Sequence, residues 1–446
     1  MKKITQCRAC RSRSLTPALD FSAPAGKKNR GLGEYVLCDP SRDARACGLL
    51  QSAYKDGPVL AGGPATPSAT TRNEYRAIAT EALEMISGRD CAALDIGCGD
   101  GALLSHYPRW VERYGVDEDD AIEDVGQWAH VAKDAFSPER LRGAFGVERF
   151  DIVTAISKLE YSDDPAALLK GAKDLLTDDG VIVVETLYSP LVLTRNCLEA
   201  LQIGVRCFFS LGVLEGLARE AQLKIVKGGL TSKDGGSIRL FLTHIDNNDF
   251  DFDPWLERLA RLWDEENALA LRALQPYQTF ASRADEVRSA FRDALDEIFA
   301  KSQTAHLLGA DAHAEALLKI AGTSAKAISA AVDNAAAREA TDFGARRIPL
   351  ISEAECRAAE PDFLVAPARG KREVLERWRE PIFLGARVLF ATPGLHIVSA
   401  SNYAAEYGKA VASGDGPAGV ETLRNILAAA GAPRLVVENP SKVQAG

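Results

Sequence analysis

The stretch that most limits how this chain can fold is Ala93-Leu94-Asp95-Ile96-Gly97-Cys98-Gly99-Asp100-Gly101. An apolar run ends in an acid, three glycines follow at alternate positions, and Ala102-Leu103-Leu104 resumes an apolar segment. That order predicts a strand, a tight turn and a helix N-terminus. Glycine lets bare backbone come close to a ligand, and the free N–H groups of a helix start favour a polar or anionic group. Gly97, Gly99 and Ala102 also satisfy a loose dinucleotide-binding pattern. Asp95 separates the two readings. A carboxylate two residues ahead of the first glycine crowds a pyrophosphate, whereas it accepts readily from an ammonium or a hydroxyl.

Those are groups that S-adenosylmethionine (SAM) carries, and the stretch resembles the first motif of the class I SAM-dependent methyltransferases. The resemblance assigns Asp95, Gly97, Gly99 and Gly101 to the cofactor. Trp110 to Glu118 reads as a second strand ending in acids. Asp117 lies 22 positions after Asp95, about where a carboxylate grips a ribose diol. Glu118 is its rival, and a solvated acidic loop with Asp119 and Asp120 is the bland alternative. His130 to Phe136 fits a third strand. There Asp134 is placed to accept from an adenine amino group and Phe136 to stack nearby, or the two are a loop acid and a core aromatic. Phe150 to Ile156 and Val181 to Glu185 are further strands, separated by a helix from Asp164-Pro165 to Leu176. Alternating strands and helices imply a doubly wound parallel sheet, in which ligands sit at the carboxyl ends of the strands.

The 446 residues suggest two or three domains, and a 46% hydrophobic, 26% charged composition can fill their cores. A net charge of −9 with no long basic tract argues against nucleic acid as a partner. No apolar run approaches the ~20 residues of a membrane span, and the opening Met1-Lys2-Lys3-Ile4 lacks a signal-peptide core. A cytoplasmic protein with a small-molecule substrate is the expectation, its oligomeric state left open.

Residues 1–55 carry Cys7-Arg8-Ala9-Cys10, then Cys38 and Cys47. A C-x2-C knuckle sets two thiolates on one ion, and four suit tetrahedral Zn2+. So short a segment has little core, and a metal would hold it folded. Eight residues separate Cys38 from Cys47, wider than the usual second pair; four unrelated free thiols are the alternative. Residues 56–70 read as a Gly/Pro/Ala linker, and Thr71 to Ile86 as the helix that leads into a domain spanning 71–247.

That domain closes with a helix from Ser210 to Leu223 and a hairpin of Ile225–Leu230 with Ile238–Thr243. Between its strands lies Lys233-Asp234-Gly235-Gly236-Ser237-Ile238-Arg239. Ser237 and Arg239, two apart in extended chain, share a face, and the arginine suits a substrate phosphate or carboxylate; a plain turn with an exposed arginine is the alternative. Residues 255–446 form a helical connector, broken at Gln275-Pro276, and a second α/β unit beginning at His306-Leu307-Leu308-Gly309-Ala310-Asp311. A turn with one glycine makes a weak cofactor cradle, and His313 reads as a surface residue. A last helix is expected near Val420 to Ala430.

A four-cysteine knuckle, a SAM fold and a second Rossmann-like α/β domain, in that order, resemble the sugar C-methyltransferase family over about residues 5 to 400. Cys7-x-x-Cys10, Asp234 to Arg239 and the Gly309-Ala310 turn carry the more specific likeness. It implies a fold of zinc-binding segment, class I methyltransferase domain and C-terminal α/β domain. It also implies SAM as cofactor and methylation of a nucleotide-linked deoxysugar. Two departures stand out. The family turn reads H-G-G-S-x-R, and Asp234 replaces the histidine. The family's Y-x-E-H cluster, which removes a proton beside a keto group, falls where this chain reads Gln202-Ile203-Gly204-Val205, and no base is present there. Glu160, Tyr161, Glu185, Tyr188 and Asp234 are the groups near the carboxyl end of the sheet to which the task can fall, with Tyr188, Glu185 and Asp234 foremost. O- or N-methylation, or a degenerate SAM-binding relative, are the competing readings.

Overall fold

The computed structural model describes residues 2–21, 33–55, 69–86, 90–201, 204–231, 233–250, 253–333, 342–343, 347–367 and 370–412. The expected helix near Val420 to Ala430, most of the linker and Gln202-Ile203 lie outside them.

Three sheets organise the described chain. The first joins β1 (Leu15–Asp20), β2 (Glu34–Cys38) and β3 (Leu50–Ser52). The second is built from β4 (Cys91–Ile96), β5 (Val111–Asp117), β6 (His130–Lys133), β7 (Phe150–Ile156) and β8 (Leu176–Leu187). A short β9 (Cys207–Phe208) follows and leaves it to pair with β3. The cysteine segment therefore shares a sheet with the next domain. Buried Arg8 ties it further by donating to Asp163 at 3.1 Å, and braces the segment itself through the Ser52 carbonyl at 2.8 Å.

The second sheet is completed by β10 (Leu223–Thr231) and β11 (Ser237–His244), in the order β10-β11-β8-β7-β4-β5-β6. β4 to β8 run parallel, while β11 is antiparallel to both its neighbours. The chain winds outward through β4, β5 and β6, then crosses to β7 on the other side of β4. A switch point with an open crevice therefore lies at the carboxyl ends of β4 and β7. Val181 to Val184 of β8 are buried and apolar, the mark of a strand covered on both faces.

The glycine turn departs from expectation on one side. No α-helix follows it, only a single 3-10 turn, Leu104–His106. Too few residues separate Gly101 from β5 to hold a helix and its return, and Pro108 disfavours helical backbone at Tyr107.

Helices Asp253–Asn267 and Gln275–Ala300 connect to the third sheet, with Pro276 at the start of the second, where a missing N–H costs nothing. That sheet comprises β12 (Ala305–Leu308), β13 (Ile328–Val332), β14 (Asp342–Phe343), β15 (Ile348–Ile351), β16 (Phe363–Ala366), β17 (Arg387–Phe390) and β18 (His396–Val398). Its order is β14-β15-β13-β12-β16-β17-β18, a second doubly wound unit with antiparallel edges. Tyr277, Phe280, Ala284, Val287, Phe291, Leu295 and Ile298 repeat at three and four residues along the long helix and are buried. They share one apolar cluster with Leu37 and Leu50 of the first sheet, Leu193, Leu198, Leu201 and Val205, and Leu307 and Phe363 of the third. The three sheets thus meet over the 187–208 segment, and Thr392 clasps it by donating to buried Glu199 at 3.0 Å.

Candidate active site

Asp95 ends β4 with 4% of its surface exposed, and its carboxylate accepts from the Thr154 hydroxyl of β7 at 2.6 Å. Burial pushes its carboxyl up to about 6, against that hydroxyl and the Lys158 ammonium. Gly97 has φ 81, and a Cβ there would lie 1.5 Å from Lys158 Cε, so only glycine lets the lysine stem cross the turn. The space before Gly99 is open, and its N–H donates to Asp117 Oδ2 at 3.0 Å. Gly101 backs instead onto Val125 and Trp128, 2.9 Å from where its Cβ would stand. Asp117 also receives the Asp119 N–H at 3.1 Å and lies 3.4 Å from Lys158 Nζ. Against its burial, that ammonium and the Gly99 amide hold the Asp117 carboxyl below its usual range. Glu118 is exposed, which leaves Asp117 as the inward carboxylate.

Asp134 and Phe136 are placed otherwise. The Asp134 carboxylate meets Arg140 at 2.5 Å, and the Phe136 ring lies 2.9 Å from where a Cβ on Gly171 would stand. Neither contact leads to the glycine turn.

Beyond β7 a polar cluster fills the carboxyl side of the sheet. Glu185 of β8 is opposite Arg239 of β11 in register. The guanidinium donates to Glu185 at 2.6 Å and to Glu81, on helix Ala69–Met85, at 3.1 Å. Arg239 is therefore neither exposed nor an open clamp for an anion, because carboxylates already hold two of its N–H groups. Glu185 is fully buried, and its two oxygens already accept from Arg239 and from the Thr231 hydroxyl at 3.2 Å. Tyr188 does not join this cluster. Its buried hydroxyl donates to Glu266 at 2.7 Å, and Glu266 accepts the Leu211 and Gly212 N–H groups at the start of the next helix. Burial and Glu266 raise the Tyr188 hydroxyl well above its usual range, and the pair anchors the start of that helix. Ser237 donates back to the Lys233 carbonyl at 3.0 Å and so closes its own turn. Gly236, at φ 149, would place a Cβ 2.6 Å from Leu191. Leu191 belongs to helix Ser189–Thr194, and a Cβ on Gly235 would stand 3.1 Å from Cys197 Sγ, so protein backs both glycines.

Asp234 stands at φ 52 in this turn. Its Oδ2 accepts from Lys233 Nζ at 2.6 Å, and its Oδ1 is 3.7 Å from His313 Nε2. His313 is 8% exposed and is not the surface residue expected. It sits where the third-sheet domain meets the hairpin. Lys233 also donates to Ser157 at 2.5 Å. Fully buried Glu160 accepts from Thr186 at 2.9 Å, and burial pushes its carboxyl up to about 7 against Lys233. Burial and Glu185 push Glu74 up to about 7 as well. Sequence reading gave no role to Glu74, Glu81, Lys158 or Lys233, and took His313 for a surface residue. Lys158 and Lys233 stand where short polar segments follow strand ends, a signal that was available, whereas Glu81 and His313 come from elements distant in sequence.

In the first sheet, Cys7, Cys10, Cys38 and Cys47 converge, their sulfurs all within 4.8 Å of one another. Cys7 to Cys47 is 3.7 Å and Cys10 to Cys38 is 3.5 Å. Metal–thiolate bonds of ~2.3 Å in a tetrahedron set sulfurs ~3.8 Å apart, so the wide second spacing is closed by the fold and the cluster fits one metal ion.

Comparison with known proteins agrees with this geometry. Residues 71–227 match the methyltransferase domain family, and residues 232–393 match the C-methyltransferase C-terminal domain family. The second match opens at the Asp234 turn and includes β11. C-methyltransferase NovU of Streptomyces niveus is 25% identical over 53% of this chain and 55% of its own length. The ubiquinone biosynthesis O-methyltransferase of Haemophilus ducreyi is 30% identical over 21% of this chain and 44% of its own. The chain thus matches about half the length of these curated relatives. Among solved structures, the plantazolicin methyltransferase BpumL in complex with SAH is 14% identical, with a TM-score of 0.32, over 39% of this chain and 84% of its own. Two successive stretches of the chain thus match methyltransferase family models, a methyltransferase domain followed by a C-methyltransferase C-terminal domain.

Proposed function

We propose that the protein transfers the methyl group of SAM to a small acceptor, and that the acceptor is a carbon beside a keto group on a nucleotide-linked sugar. The observation that carries the methyl-transfer reading is the pairing of Asp95 and Asp117 on either side of an open glycine turn, at the switch point of the sheet. In this reading Asp117 binds the ribose hydroxyls, Asp95 faces the amino-acid end, and Lys158 offers its ammonium to the SAM carboxylate. SAM, when bound, supplies an electrophilic methyl. The chain's own work is to orient the acceptor and take its proton. The sugar acceptor is supported by the likeness of the Asp234 to Arg239 turn to the sugar C-methyltransferases and by the C-methyltransferase C-terminal match. The four thiolates are read as a zinc site that ties the first sheet together, and the nine free cysteines suit a cytoplasmic protein.

Oxygen methylation is the second reading. It is favoured by Gly204-Val205, where the sugar family has its proton-removing cluster, and by the O-methyltransferase relatives. Product mass and methyl position after incubation with SAM and a panel of keto-sugar nucleotides separate the two. A new carbon–methyl bond beside the carbonyl supports the first, and a methyl ether overturns it.

A further inference from the structure

We propose that His313, carried in from the C-terminal domain and held by Asp234, is the group that takes the proton from the methyl acceptor; this rests on the carbon-methylation reading above. His313 lies in the first turn of helix Ala312–Ala321, which Asp311 caps by accepting the Ala314 N–H at 3.0 Å. Its Nε2 stands 3.7 Å from Asp234 Oδ1, an ion-pair rather than a hydrogen-bond separation. The far oxygen of Asp234 is fixed by Lys233, which also grips Ser157 at the end of β7. The next residue, Lys158, spans Gly97 to reach Asp117. One row of polar contacts therefore runs from the cofactor turn to His313.

The chemistry points the same way. Carbon acids need a base that is free near neutral pH, and imidazole as a class titrates between pH 5 and 8. Where the sugar family's turn has its own histidine, this chain has Asp234, and the imidazole arrives from the other domain. In the step, the C–H bond beside the carbonyl breaks and its proton forms an N–H bond at Nδ1, while Nε2, which faces Asp234, keeps its own N–H. The electron pair passes into the carbonyl to give an enolate, which is the methyl acceptor. The imidazolium left behind is stabilised by the Asp234 carboxylate. Among the described residues Asp234 is the charged group paired with His313; Lys233 pairs with Asp234, Asp311 and Glu315 cap and continue His313's own helix, and the elements packed on that helix carry Glu199, Arg292 and Lys326.

The test is deuterium incorporation beside the keto group of a dTDP-4-keto-6-deoxyhexose in heavy water, without SAM, for the full-length protein. Wild type is expected to exchange. His313→Ala and His313→Gln should lower the rate at least ~100-fold, with the affinity for SAH unchanged. Added imidazole should restore exchange to His313→Ala, and Asp234→Asn should move the pH profile to lower pH. Exchange at the wild-type rate in His313→Ala overturns the inference. So does a loss that imidazole leaves in place, which would make the pair a structural latch between domains. If wild type itself neither exchanges nor methylates this probe, the carbon-methylation reading fails and the inference with it. An active wild type with an active His313→Ala removes the inference alone.

Discussion

Replacing Arg239 with methionine tests how the centre of the site is held. The side chain of Glu185 is 0% exposed and that of Arg239 9%, with 2.6 Å between them. Removing one member of a buried pair strands the other charge, at a cost of about 3–5 kcal/mol. The second partner adds little. Glu81 is 31% exposed and keeps Lys227 at 2.9 Å, and such half-open pairs contribute about 0–1 kcal/mol. Arg239→Met should therefore destabilise the methyltransferase domain by about 3–5 kcal/mol, which lowers its melting temperature by about 6–20 °C for a domain of this size. Replacing the whole pair with apolar groups is often close to neutral, so the double variant Arg239→Met/Glu185→Leu should recover most of the loss. Calorimetric melting of wild type, both single variants and the double variant gives the coupling directly. A loss below about 1 kcal/mol for Arg239→Met, with no recovery in the double variant, would show the arginine to be loosely held and would reopen its role as an anion clamp.

Asp117→Ala should weaken SAM by about 1–3 kcal/mol, since it removes the ribose acceptor and leaves the Gly99 N–H without its carboxylate; titration calorimetry should show a dissociation constant raised about 5- to 150-fold, and an unchanged constant contradicts the assignment. Glu160→Gln should change the pH dependence of stability. The folded protein holds a proton on Glu160 up to about pH 7, while an exposed carboxyl releases it near 4.5. That stabilisation is complete below about 4.5 and is lost as pH rises to about 7, so the variant should melt above wild type at pH 8, and the gap should close toward pH 5. A gap independent of pH would contradict the burial argument. Cys10→Ser should drop metal content from one zinc per chain toward zero by elemental analysis and lower the melting temperature. Wild type purified without added metal and found metal-free, with its four thiols titratable, would sink the zinc reading.

Much of the fold was legible because its signals are local. Apolar runs bounded by glycine, proline and acids marked β4, β5, β7 and β8, and Pro276 marked the start of the long helix. The glycine turn was legible for the same reason: Asp95, Gly97, Gly99 and Asp117 fall within one strand–turn–strand unit. The 3-10 turn after Gly101 was misjudged because the brake, Pro108, lies beyond the apolar run that suggested a helix. The acid–base cluster was harder to read. Tyr188 and Arg239 stand next to the right strands, but their partners, Glu266 and Glu81, come from helices whose packing no local pattern announces. His313 looked like a surface residue because its helix, alone, puts it in an exposed first turn. The hairpin that covers it lies some 80 residues earlier. The four cysteines gave the opposite result, since the irregular Cys38 to Cys47 spacing is absorbed by the loop joining β2 to β3.

The most direct measurement is a calorimetric titration of the wild-type protein with SAM and with its demethylated product SAH. The account predicts saturable binding of one molecule per chain, with a dissociation constant between about 1 μM and 1 mM, the range in which enzymes commonly meet their substrates. No heat from either compound at millimolar concentration would contradict it.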